Sequence, residues 1–309
     1  MIHVRFHTPG ESRGESPYRQ YRILDTTLVS NGTLPVLSAF RDPKRSSTNP
    51  DDWRNNPPTL SDEIISRGTS GQCLVSLNGH DVTLKWTRYG VRVDLEIEGQ
   101  AFIQLHCERG FAQVQVLAQC STQLMEQLVL GPTMVFLGAA RGHAFIHASA
   151  LAMAGGVIIL AGKSGAGKST LARHLARLIP GCRRLSDDIV VVSQSDAGPV
   201  CLPRYPQPGL AQDEQPAGWQ TRLPILGAFV LEPPRNAGGM ANIKCLSSAD
   251  SAMGLINHCM GSGLNDRVLD RCVLDTVSSV QSHGISGIIE YPHHAAAPGQ
   301  IASMIKDYV

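Results

Sequence analysis

Val157-Ile-Ile-Leu-Ala161 runs without interruption into Gly162-Lys163-Ser164-Gly165-Ala166-Gly167-Lys168-Ser169-Thr170. The first five residues read as a buried strand. The next nine fit the P-loop pattern G-x-x-x-x-G-K-[ST], and a helix is expected from about Ser169 to Leu178, stopped by Pro180-Gly181. Each position has a chemical reason. Gly162, Gly165 and Gly167 let the backbone curl so that successive N–H groups point inward at phosphate oxygens. Lys168 is placed to reach the β- and γ-phosphates, and the Ser169 hydroxyl to ligate magnesium. The helix presents its positive N-terminal end to the anion. The segment therefore points to a nucleoside triphosphate such as ATP, held with Mg2+ by Gly162 to Thr170. A glycine-rich turn with a fortuitous Lys-Ser is the competing reading, and the strand before and helix after weigh against it.

Working outward, Ala144 to Met153 is a second apolar run, joined to the first through Ala154-Gly155-Gly156. So short a link predicts an antiparallel hairpin. Counting back across it puts His147 near the level of the glycine loop. There it can orient a carboxylate or touch phosphate, although a structural strand histidine is the alternative. Leu185 to Val192 reads as another strand, opened by Ser186-Asp187-Asp188. Neighbouring residues within a strand point to opposite faces, but at a strand end both carboxylates can reach one site. One then serves the metal and the other accepts a proton from an attacking hydroxyl. A solvated turn is the bland alternative. Arg173, Arg177, Arg183 and Arg184 read as a weak basic grouping on a solvated helix face.

Beyond this core, Leu223 to Leu231 reads as a strand and Ala249 to His258 as a helix. Asn265 to Val280 is an amphipathic helix with Val268, Leu269, Cys272, Val273, Thr276, Val277 and Val280 on one stripe. Ile285 to Tyr291 reads as a strand and Gln300 to Val309 as a closing helix. On the N-terminal side, residues 1–20 are polar and read as poorly ordered or loosely strand-like. Residues 41–62 form a Pro/Asn/Ser-rich loop. Residues 72–118 alternate as an antiparallel meander that begins with a hairpin at Asn78-Gly79. Ser121 to Ala140 reads as one helix or two. The expected organisation is a β-rich domain over 1–128 and an α/β P-loop domain over 129–309.

Composition narrows the class. With 42% hydrophobic and 17% charged residues the chain has ample material for a core, and a net charge of +1 argues against a nucleic-acid surface. The eight cysteines are scattered without a Cys-x-x-Cys pair, which fits reduced thiols in a cytoplasmic protein better than a zinc site or disulfide framework. No apolar signal region opens the chain and no run of about 18 apolar residues spans a membrane.

Ile146-His147-Ala148-Ser149-Ala150-Leu151, the Gly-Gly link, the P-loop and Leu185-Ser186-Asp187-Asp188, in that order, resemble the catalytic domain of HPr kinase/phosphorylase. The likeness is greatest to the HPr kinase-like branch that includes tailoring kinases of ribosomal peptide clusters, notably lasso peptide clusters. It covers Val129 to Val309. The resemblance implies a mixed sheet with helices, a phosphotransferase using ATP and Mg2+, and a Ser/Thr hydroxyl acceptor on a peptide or small protein. It further implies that Lys168 and Ser169 serve phosphate and magnesium. Asp188 would accept the hydroxyl proton, Asp187 would support it and the metal, and His147 would interact with that carboxylate. The chain also departs from the bifunctional enzymes. Cys201 to Gly209 contains no glutamate, and Arg204 and Arg222, the nearest arginines, sit in no matching motif. Phosphorylase activity and HPr itself as substrate are therefore not implied. A P-loop ATPase switch without a phosphoprotein product and a kinase for a small metabolite such as free serine stay open beside the peptide kinase. A homo-oligomer is open too.

Overall fold

The computed structural model describes residues 3–7, 19–23, 26–30, 40, 68–77, 80–108, 111–116, 121–203, 205–207, 210, 222–232, 240–292, 294 and 296–308. The stretch at 41–62, Asn78-Gly79 and Arg204 lie outside them. The chain divides into two compact units, Met1–Leu137 with Gly263–Asp266, and Gly138–Ser262 with Arg267–Val309.

The first unit is built on β1 (His3–His7), β4 (Thr69–Leu77), β5 (His80–Tyr89), β6 (Arg92–Ile97), β7 (Ala101–His106) and β8 (Phe111–Val116), with β2 (Arg19–Ile23) and β3 (Thr26–Ser30) as a separate antiparallel pair. Strands β4 to β8 form the expected meander, and β1 adds in parallel along β8. Alternation explains it: Val93, Leu95 and Ile97 are buried while Asp94 and Glu96 between them are not. Two short helices follow, α1 (Thr122–Leu128) and α2 (Met134–Ala139). The Ser121 hydroxyl caps α1 by accepting from the Leu124 N–H at 3.2 Å. Between them Gly131-Pro132 forces a kink, since Gly131 leaves helical geometry and Pro132 has no N–H to give.

The second unit is a mixed sheet between helices. Its strands are β9 (His143–Met153), β10 (Gly156–Gly162), β11 (Arg183–Ser186), β12 (Ile189–Ser195), β13 (Gly198–Cys201), β14 (Leu223–Glu232), β15 (Asn242–Cys245) and β16 (Ile285–Glu290). Strand β10 lies between β9, antiparallel, and β14, parallel. The helices are α3 (Lys168–Leu178), α4 (Ser248–Ile256), α5 (Arg267–His283) and α6 (Ala297–Tyr308). On β10, Val157, Ile159 and Ala161 pack with Leu255 of α4 and Val273, Val277 and Val280 of α5. Ile158 and Leu160 pack on the other face with Leu171 and Leu175 of α3 and Ile301 and Ile305 of α6. Being covered on both sides is why β10 reads as an unbroken apolar run rather than an alternating one.

The structure corrects several expectations. Leu185 to Val192 is not one strand: it breaks between β11 and β12 at Asp187-Asp188. The amphipathic helix starts at Arg267, because Asn265 sits at φ 57°, outside right-handed helical space. Val268 on its stripe is only half-buried. Strands β13 and β15, each four residues long, had no signal in the sequence. Arg184 is not on a solvated helix face but on β11, its side chain 12% exposed beside Asp187. Among the described residues no helix is long and apolar enough to cross a membrane. The cysteines described are thiols, not disulfides. Burial pushes Cys201 and Cys259 up to about 12, and Cys182 and Cys272 up to about 11, leaving them poor nucleophiles.

Candidate active site

Three segments converge at one end of β9 and β10. The first is the glycine loop. Strand β10 ends at Gly162, and α3 starts at Lys168 with Gly167 as its N-cap. Gly165 and Gly167 have φ of 79° and 88°, in the region where a Cβ is strained, so the loop needs glycine at both. The Ala166 N–H donates to the Lys163 carbonyl at 3.1 Å, and the Leu171 N–H closes the first helical turn on Gly167 at 2.8 Å. Lys168 is 7% exposed. Its Nζ donates to the carbonyls of Gly162 at 2.8 Å and Lys163 at 3.2 Å. Burial lowers the Lys168 ammonium from its ordinary value, while the charges of Asp188 and Asp187 pull the other way.

The second segment is His147 on β9. Lys168 Nζ lies 3.2 Å from His147 Nε2, and His147 Nδ1 lies 2.9 Å from Asp188 Oδ1. An ammonium only donates and a carboxylate only accepts. Nε2 therefore accepts from Lys168 and Nδ1–H donates to Asp188, which assigns the tautomer.

The third is the Asp187-Asp188 turn. Strand β11 pairs with Ala150 to Ala152 of β9, and β12 with His143 to His147. Both lie along one edge of β9, and the aspartates occupy the gap between them. Their side chains diverge. Asp188 is 47% exposed and meets His147. Asp187 is 12% exposed and meets Arg184 Nη1 at 3.8 Å. Its Oδ1 is buried and accepts no hydrogen bond among the described residues. The Asp187 carbonyl accepts from Ser149 Oγ at 3.2 Å and from Ser169 Oγ at 3.4 Å, tying the turn to the first turn of α3.

The donor set suits a hard cation. Ser169 and Asp187 offer a hydroxyl and a carboxylate, and the buried Asp187 oxygen has lone-pair capacity that no described hydrogen bond uses. No three His, Cys, Asp or Glu side chains among the described residues group as a metal site. Magnesium carried with a triphosphate takes only one or two protein ligands.

Two residues that the sequence reading passed over belong here. On the edge of β9 that β10 leaves when it turns into the loop, His258 to Met260 takes its place. The His147 N–H donates to the His258 carbonyl at 2.8 Å, and the Met260 N–H to the Phe145 carbonyl at 2.7 Å. Burial first, then the neighbouring Lys168, His147 and Lys163, of which the two lysines are charged, lower the His258 imidazole below its ordinary value. The other is Gln207, 1% exposed, whose amide lies against the aspartate turn. In the sequence His258 was the end of a helix, and Gln207 one polar residue between two prolines. Of the arginines noted earlier, Arg222 is exposed before β14.

No family model and no curated protein matches the chain. Among solved structures it is similar to the HPr(Ser) kinase/phosphatase from Coxiella burnetii, at 12% identity and a TM-score of 0.29, over 53% of this chain and 95% of that one. So low a TM-score leaves the functional reading to the site itself.

Proposed function

We propose that the chain is an ATP- and magnesium-dependent kinase that transfers the γ-phosphoryl group to a Ser or Thr hydroxyl of a peptide or small protein, a ribosomal lasso-type precursor being the candidate acceptor. The observation that carries this reading is the unbroken link from Lys168 Nζ through His147 to Asp188, with contacts of 3.2 Å and 2.9 Å. It joins a phosphate-binding cation to a half-exposed carboxylate within one site. In the reaction the acceptor oxygen bonds to the γ-phosphorus, the bond to the bridging oxygen breaks, ADP leaves, and the hydroxyl proton passes to Asp188. Lys168 neutralises charge on the phosphates. His147 holds the Asp188 carboxylate in place. Magnesium, held by Ser169 and Asp187, would neutralise charge on the β- and γ-phosphates.

Radiolabelled ATP with a degenerate Ser/Thr peptide mixture tests the proposal. Magnesium-dependent label on peptide is expected. Label on free serine instead would make the chain a metabolite kinase. ADP release stimulated by a partner, with no labelled product, would make it an ATPase switch.

His258 supplies an independent check on the phosphate site. Beside burial, the ammonium groups of Lys168 and Lys163 lower its imidazole, and these are charges a triphosphate would neutralise. Its folded-state affinity for a proton is thus low without nucleotide and rises with it. Binding should take up a fraction of a proton near pH 6.5, about the ordinary histidine value. Calorimetric titrations of Mg·ATP in two buffers of different ionisation enthalpy measure this, and His258→Asn should diminish it. Equal uptake in wild type and variant would place His258 away from the phosphates.

A further inference from the structure

We infer that Gln207 is a positioning residue that shapes the Asp187-Asp188 turn and so sets the carboxylate of Asp188 against His147. This rests on the reading of Asp188 as the proton acceptor.

The geometry is that of a small internal template. Gln207 Oε1 accepts from the N–H groups of Asp187 at 3.3 Å, Asp188 at 3.4 Å and Ile189 at 3.3 Å; Ser186 Oγ lies 3.0 Å from it, but its single hydrogen has a closer acceptor in the Ile189 carbonyl at 2.8 Å. Three consecutive amides converging on one oxygen impose a tight curl on the backbone between β11 and β12. Without that oxygen, partly buried N–H groups would be left without this acceptor, at a cost comparable to a lost hydrogen bond each. Gln207 Nε2 meanwhile donates to the carbonyls of Ile189 at 2.7 Å and Tyr205 at 3.2 Å. An amide alone offers an acceptor and two donors on one planar group, so no other uncharged side chain of this length fills both roles.

The arm that carries Gln207 is itself anchored. Tyr205 is 1% exposed and stacks edge-on against Phe145 of β9, ring centroids 5.5 Å apart. Phe145 lies two residues from His147 on the same strand. The template and the histidine it serves are therefore fixed to one strand, and the turn is clamped between them. Gln207 touches no reacting atom; it acts through the backbone of Asp188. A displacement of the carboxylate by about 1 Å is enough to cost catalysis heavily.

The test compares wild type, Gln207→Met, Gln207→Glu and Asp188→Asn, using radiolabelled ATP with the degenerate Ser/Thr peptide mixture. Methionine keeps the volume and removes every hydrogen bond. Glutamate keeps an oxygen for the three N–H donors and loses the two donations. Gln207→Met should lower kcat about 10- to 100-fold with KM for ATP unchanged, and Gln207→Glu should retain more kcat than Gln207→Met. The Nδ1 proton resonance of His147, which reports its bond to Asp188, should shift or vanish in Gln207→Met and persist in Gln207→Glu. This readout needs no acceptor and holds whether or not the chain is a kinase. Unchanged kcat and an unchanged resonance in Gln207→Met would overturn the inference, as would kcat and KM for ATP worsening together. Should Gln207→Met not fold, loss of the resonance in Gln207→Glu overturns it. Full transfer by Asp188→Asn would instead remove Asp188 from the proton-accepting role proposed above and leave the structural role of Gln207 to the resonance.

Discussion

Asp188→Asn should lower γ-phosphoryl transfer by about 10²- to 10⁴-fold while leaving Mg·ATP affinity essentially unchanged. Asparagine matches aspartate in size, and its amide oxygen still accepts from His147 Nδ1–H, 2.9 Å away in the native site. What it loses is the capacity to take the hydroxyl proton. The glycine-loop side is held by other contacts. Lys168 keeps its bonds to the carbonyls of Gly162 and Lys163 and its contact with His147 Nε2. Label transfer to peptide measures the first effect, and titration with a fluorescent ATP analogue the second. Retained transfer would remove Asp188 from the proton-accepting role. Loss of ATP binding would mean that the carboxylate organises the phosphate site instead. Either result would require a different mechanism for the same geometry.

The largest stability effect should come from the first unit. Asp266 is fully buried and binds Arg88 through two bonds, Nε to Oδ2 at 2.6 Å and Nη2 to Oδ1 at 3.0 Å. Burial by itself would lower the Arg88 guanidinium, but the hydrogen bonds and charge of Asp266 carry it above its ordinary value. The guanidinium also lies 5.9 Å from the centroid of the Phe136 ring, and Trp86 Nε1 donates to the Leu264 carbonyl at 3.1 Å. Strand β5 thus holds Gly263–Asp266 with two side chains two positions apart. Asp266→Ala leaves a buried cation without its partner and should cost about 3–5 kcal/mol. The double variant Arg88→Met/Asp266→Leu should cost much less, because no charge is then left buried. Urea unfolding followed through tryptophan fluorescence reads both. A single variant no worse than the double would mean that the pair contributes little beyond packing.

Much of the second unit was legible in the sequence because its signals are local. The strand at Val157–Ala161, the glycines that follow and the helix ended by Pro180-Gly181 are each specified within a few residues by burial pattern and backbone freedom. The same holds for the hairpin across Gly155-Gly156, whose brevity leaves only an antiparallel partner, and for the stripe of α5. In the first unit, the alternation of Val93, Leu95 and Ile97 encodes one buried face and one wet one. His147 was found near the loop by counting across that hairpin, a register argument that needs no tertiary information.

The interruption between β11 and β12 was not legible, because Leu185 to Val192 is uniformly strand-like and its break is made by Gln207, about twenty residues on. Nor was the divergence of the two aspartates, since what separates Asp187 from Asp188 is Arg184 on one side and His147 on the other. His258 reaches the site because β10 leaves the edge of β9 free for it, and Asp266 meets Arg88 across 178 residues of chain. By itself, then, the sequence determined a strand, a glycine loop, a helix and the nearness of His147 to that loop, since conformational preference and hydrophobic period act over single turns and strands. Only the tertiary structure decided which way each carboxylate points and which remote amide, imidazole and guanidinium complete its surroundings, because hydrogen bonds between distant residues depend on strand register, which no local preference encodes.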